Sequence, residues 1–145
     1  MNNRVSAYAL LLVRCTLAAA FLAAVTDRFG WWGPPGAPNV AWGDFTHFEA
    51  YAATLNWYLP HGVIPAVAWL VTVLESGLAL GLIFGVATRW VALASGVLLL
   101  LFALAMTAAL GIKAPLNYSV FSASCEMART SRLSSPVRFV PAAKA

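Results

Sequence analysis

The chain has 145 residues and a mass of 15.4 kDa, enough for one domain, yet 61% of it is hydrophobic and only 10% is charged, with a mean hydropathy of +0.79. Nine of its fourteen charges serve the first 125 residues, too few to keep a soluble globule of this size dispersed, so lipid is the expected solvent. The net charge of +4 does not indicate a nucleic-acid partner, because the basic residues are scattered between apolar runs and gathered in a tail instead of lying along one face.

Between Arg4 and Asp27 the only charge is Arg14; between Glu49 and Arg89 it is Glu75; between Arg89 and Lys113 there is none. About 20 apolar residues, each rising ~1.5 Å, cross the ~30 Å of hydrocarbon. Ser6–Val25, Val63–Phe84 and Trp90–Ile112 each reach that length. Continuous apolar blocks without alternation read as helices and not as barrel strands. The fold class is therefore all-α, a polytopic transmembrane helical bundle with three clear spans and an interfacial loop helix. Residues 1–125 form the helical domain and 126–145 a polar basic tail, read as disordered. Arg4 followed by an apolar stretch and Ala23-Ala24 has the outline of a signal peptide, but the charge of Arg14 inside that stretch argues for a retained first span.

Thr26–His61 is polar and aromatic. Its opening, Gly30–Pro38, is rich in turn formers. After it, Phe45, Phe48, Tyr51, Ala52, Leu55, Tyr58 and Leu59 recur at helical spacing behind Asp44, which predicts a short helix on the membrane surface. Trp31, Trp32, Trp42 and Trp57 suit the headgroup zone, so the segment reads as an interfacial cap, with a ligand-binding lid as the alternative. Leu116–Ala128 is too short and too polar to cross a bilayer.

Apart from cysteine and tyrosine, Arg14 and Glu75 are the only ionisable groups inside the predicted spans, and a lone charge in hydrocarbon costs several kcal/mol unless paired or hydrated. Counted from a shared membrane face, Arg14 would lie at ~12 Å and Glu75 at ~13.5 Å on antiparallel helices. The expectation is a buried Arg14–Glu75 ion pair, with Thr72 one turn away as a further partner. It reads first as glue between two helices and second as a proton- or quinone-linked polar site. Gly77, Gly81 and Gly85 form a small-xxx-small stripe facing away from Glu75, suited to close packing against the third span or a second copy of the chain. Arg89 stands at the edge of the membrane as an anchor.

Motifs for chemistry are sparse. Cys15 and Cys125 make no Cys-x-x-Cys pair, and no histidine falls inside a span to ligate a haem. Asp44, His47, Glu49 and His61 have no diagnostic metal spacing, so no metal site and no cofactor are expected, and no catalytic residue is assigned.

Arg14 in the first span, followed by Leu74-Glu-Ser-Gly-Leu-Ala-Leu-Gly-Leu-Ile-Phe-Gly-Val-Ala-Thr-Arg-Trp-Val-Ala-Leu93, resembles the DoxX family of small bacterial membrane proteins. The likeness runs roughly from Val5 to Ser124 and includes Asp27-Arg28-Phe29-Gly30 and Lys113-Ala-Pro-Leu-Asn-Tyr-Ser-Val-Phe121. The resemblance implies a four-helix bundle in the bacterial inner membrane, associated with quinone-linked or sulfur-linked redox complexes. Where the fourth helix should run, the chain turns instead to Cys-Glu-Met-Ala-Arg-Thr-Ser-Arg after Ser124, so that helix is expected to be missing or altered.

The family orientation puts the N-terminus inside, with Arg4 and Arg89, and leaves Arg28 and Lys113 outside, a tie under the positive-inside rule that only the basic tail can break. The first functional expectation is a non-catalytic membrane subunit serving a redox partner. The alternative is a small carrier or channel-like protein with an Arg14/Glu75 polar site. Partners follow accordingly: the lipid bilayer, then a redox-complex protein or quinone, then a second copy of the chain, and no nucleic acid.

Overall fold

The computed structural model describes residues 3–117 and 120–133, and every regular element among them is helical. Helix α1 spans Asn3–Arg28, α2 Phe45–Leu55, α3 Ile64–Phe84 after a 3-10 turn at His61–Val63, and α4 Thr88–Leu110; α5, Lys113–Asn117, and α6, Val120–Leu133, close the described chain. Three stretches are long and apolar enough to cross a membrane: Tyr8–Arg28, His61–Phe84 and Thr88–Leu110. Large apolar side chains such as Leu12, Leu70, Val73, Leu80, Leu101 and Leu104 stand exposed on them, the pattern of helices whose solvent is lipid.

The first span extends beyond the predicted Ser6–Val25, because Asp27 and Arg28 form its last helical turn instead of opening the loop. It stops at Gly30, whose left-handed backbone (φ 75°) turns the chain while the Thr26 carbonyl accepts from the Phe29 and Trp31 amides. A β-carbon on Gly30 would sit 2.9 Å from the Gly43 carbonyl oxygen, so the loop closes on itself where only glycine fits. Helix α2 lies in the predicted place. It ends at Leu55, one turn before the apolar spacing does, because the Asn56 side chain and backbone both bond the Ala52 carbonyl. At its other end Asp44 is the N-cap: its carboxylate accepts the His47 amide at 2.8 Å and faces His47 Nδ1 at 2.8 Å.

Close helix approach depends on small residues, since lipid removes the usual hydrophobic incentive for helices to associate. Ala18 of α1, Ala79 of α3 and Ala92 of α4 are buried with Phe21, Leu82, Leu98, Leu99 and Met127 in one core. A second core joins Phe48 and Ala52 of α2 to Ile64 and Ala68 of α3. Helix α6 rests on α4 at Gly96, where an added β-carbon would lie 3.2 Å from the Ser124 carbonyl and 3.3 Å from Met127 Cβ. The expected disordered tail from residue 126 is thus helical as far as Leu133, with Met127, Thr130 and Ser131 buried; residues 134–145 lie outside the described residues.

That contact also fixes the direction of α6. Gly96 precedes the end of α4 at Leu110 by as many residues as Ser124 follows it, so the chain retraces α4 at about the rise of a helix, ~1.5 Å per residue. In place of one membrane-length fourth helix stand the two short helices α5 and α6. Arg129 and Arg132, both exposed, consequently lie toward the Arg89 end of the bundle.

Gly96→Leu should pry α6 from α4, since overpacking costs about 1–3 kcal/mol. Trypsin cleavage after Arg129 and Arg132 in detergent-solubilised protein should accelerate several-fold relative to the unsubstituted chain.

Candidate functional site

The buried ion pair of the bundle lies at the C-terminal end of α1. Arg28 is 2% exposed and Glu75 of α3 equally so, and their Nη2 and Oε2 atoms meet at 2.5 Å. Arg28 Nη1 donates to Thr72 Oγ1 at 2.8 Å, and that hydroxyl in turn donates to the Ala68 carbonyl. The guanidinium carbon lies 3.8 Å from the centre of the Phe48 ring and 5.3 Å from that of Trp42. One cation therefore ties α1 to α3, to α2 and to the preceding loop.

The expected Arg14–Glu75 pair does not form: Glu75 pairs with Arg28, and Arg14 Nη2 donates to the Leu82 carbonyl at 2.7 Å, close against Gly85. Side-chain direction explains the difference. Every helical Cα–Cβ bond tilts toward its own N-terminus, so on antiparallel helices Arg14 and Glu75 lean away from each other even at equal depth. Arg28 leans down into the bundle while Glu75 leans up toward it. Arg14 instead serves the last turn of α3, whose carbonyls lack helical partners and carry the negative end of the helix dipole. Thr72, expected beside Glu75, is at the site as a partner of Arg28.

The glycine stripe divides among three surroundings. Gly81 faces α4, where an added β-carbon would meet Val91 Cγ2 at 3.0 Å; Gly77 is open; and Gly85 caps α3 in the left-handed region at φ 70°. Arg89 is exposed with its guanidinium 5.7 Å from the Trp90 ring centre. Cys15 and Cys125 are free and exposed. Among the described residues no three His, Cys, Asp or Glu side chains gather as a metal site.

Asp27, which the sequence reading left without a role, organises the loop. It is 5% exposed, and its Oδ2 accepts the Ala41 amide at 3.1 Å and the Trp42 amide at 2.8 Å, drawing the far end of the loop onto α1. Trp42 is thereby held over Arg28 and packs edge-on against Phe48. The adjacent Asp27-Arg28 pair at the end of a span was the available signal: two charges at the lipid boundary, ahead of an aromatic loop and helix.

These features define a small multi-pass α-helical membrane protein held by one buried ion pair beneath an aromatic cap. A family model described as DoxX matches residues 9–109, and the chain belongs to the DoxX family. Neither the comparison with curated proteins nor that with solved structures finds a match.

Removing one partner of a buried pair strands the other charge and costs about 3–5 kcal/mol. Glu75→Gln and Arg28→Met should each lower the unfolding midpoint in mild detergent strongly, and the double variant should lose much less than their sum. The same cycle for Arg14 and Glu75 should give additive losses within about 0.5 kcal/mol.

The amide and then the side chain of His47 hold the Asp44 carboxyl below its ordinary value. A depressed acid stabilises the fold above its unfolded pKa, about 3.9, and that contribution fades as pH falls through the lower folded value. Amide exchange at His47 should therefore stay slow from neutrality down to about pH 4 and quicken only in stronger acid, whereas Asp44→Ala should exchange fast throughout.

Proposed function

We propose that this DoxX-family chain is a non-catalytic subunit of the bacterial inner membrane that holds a quinone-linked or sulfur-linked redox partner. The observation that carries this reading is the sealed state of the charge pair. Arg28 and Glu75 are both 2% exposed, and the two Nη groups of the guanidinium are taken by Thr72 and Glu75 with the Phe48 ring beside them. A group arranged in this way fastens helices and is poorly placed to pass protons or solutes. What the bundle offers to others is surface: the exposed flank of α1 with Tyr8, Leu11 and Leu12, and the aromatic rim of Trp31, Trp32, Trp57 and Tyr58.

The charges support an N-terminus on the cytoplasmic side. Arg14 bonds the inner end of α3, Arg89 begins α4, and the return of α5 and α6 brings Arg129 and Arg132 to that same end. Such a gathering of basic residues at one end supports the positive-inside orientation.

Deletion of the gene should lower quinone-linked oxygen uptake in membrane vesicles, and mild-detergent purification of the tagged chain should bring down a redox protein or a quinone. Unchanged respiration with nothing co-purified overturns the proposal, as does solute or proton flux through proteoliposomes that Glu75→Gln abolishes.

A further inference from the structure

Asp27 contributes to a second feature, separate from the fastener. An open cavity of about 300 Å³ lies between the last turns of α1 and the returning loop, floored by Ala23 and Ala24 and lined by Asp27, Trp32, Asn39 and Trp42. Asp27 Oδ2 is committed to the two loop amides, while Oδ1 is buried and has no hydrogen-bond partner among the described residues. A buried acceptor left without a donor costs free energy that the rest of the site does not return.

Formal charge points the same way. Among the described residues, two acids and one base, Asp27, Glu75 and Arg28, are buried around this end of the bundle, and the Nη groups of Arg28 are already turned to Glu75 and Thr72. Arg28 donates no hydrogen bond to Asp27, the carboxylate that lines the cavity. Trp32 is held in place there by its indole N–H, which donates to Thr26 Oγ1 at 2.9 Å and to the Ala23 carbonyl at 3.1 Å. Indole faces attract cations, and an apolar floor suits a cation that carries carbon.

We infer that this cavity binds an organic ammonium group, its N–H donors or positive charge directed to Asp27 and its carbon to the tryptophans. The site lies at the end of a span, where such a group arrives either as the amine of a lipid headgroup or as a free amine from the aqueous side. The chemistry recognised is the same in both cases. A carboxylate with one free oxygen, beside a π face and too small a space for a large solute, selects the ammonium and not what it is attached to.

The test uses the full chain in nanodiscs. Ethanolammonium chloride is titrated calorimetrically into protein held in phosphatidylglycerol discs, and native mass spectrometry follows retention of phosphatidylethanolamine from mixed discs. Saturable binding of ethanolammonium identifies a free-amine site, and selective retention of phosphatidylethanolamine alone identifies a headgroup site; either supports the inference. Asp27→Asn leaves an oxygen for the Ala41 and Trp42 amides but removes the charge, and should weaken whichever binding is seen by about tenfold. Trp32→Leu removes an exposed ring and its two indole hydrogen bonds at the surface and should weaken binding several-fold, which keeps the test decisive if Asp27→Asn fails to fold. Absence of both kinds of binding, equal binding by the variants, or equal displacement by sodium chloride overturns it.

Discussion

The Arg28 guanidinium is the point at which four segments of the chain meet: its own helix, the loop through Trp42, α2 through Phe48, and α3 through Glu75 and Thr72. In a bilayer the apolar faces of helices gain little by leaving lipid for one another, so specificity has to come from polar contacts and from shape. A buried ion pair is seldom a large net source of stability, because desolvation consumes most of the attraction. Its strength lies in exclusion. Any arrangement that separates Arg28 from Glu75 leaves a bare charge in hydrocarbon, and this penalty selects one packing of α1 against α3 among several that the alanine-rich surfaces would accept.

Shape supplies the remainder. The alanines at the centre of the core and the glycines at two particular contacts, Gly81 against Val91 and Gly96 against Ser124, allow backbones to approach where larger residues would hold them apart. Arg14 completes the opposite end by closing the last turn of α3 at Leu82. The two arginines of α1 thus act at opposite ends of the same neighbour, one on a side chain and one on the backbone.

The spans themselves were legible because they are defined by what is missing: Val63–Phe84 and Trp90–Ile112 are the gaps between charges, and a gap can be counted without knowing any contact. The fastening was not legible, for a geometric reason. Counting depth along two helices treats side chains as points on an axis, yet an arginine reaches some ~6 Å from its backbone toward its helix's N-terminus. Arg14 and Glu75 matched in depth and leaned apart, while Arg28 was assigned to the loop and leaned in. The docked helix α6 escaped notice for a different cause. Among its described side chains the buried ones are Ser124, Met127, Thr130 and Ser131, mostly small and polar, so an apolar period gives no sign of a face that packs through closeness and hydrogen bonding.

The Arg28–Glu75 contact also bears on how such a chain could be made. The two residues are separated by the whole cap and half of α3, so until Glu75 has been made Arg28 lacks the carboxylate that it bonds in the bundle, and a charge without its partner rests in water more readily than in the hydrophobic interior. Only when the glutamate follows can that end of α1 sink to its final level. The end of the bundle where Arg28 sits therefore cannot take its final form until α3 has been made.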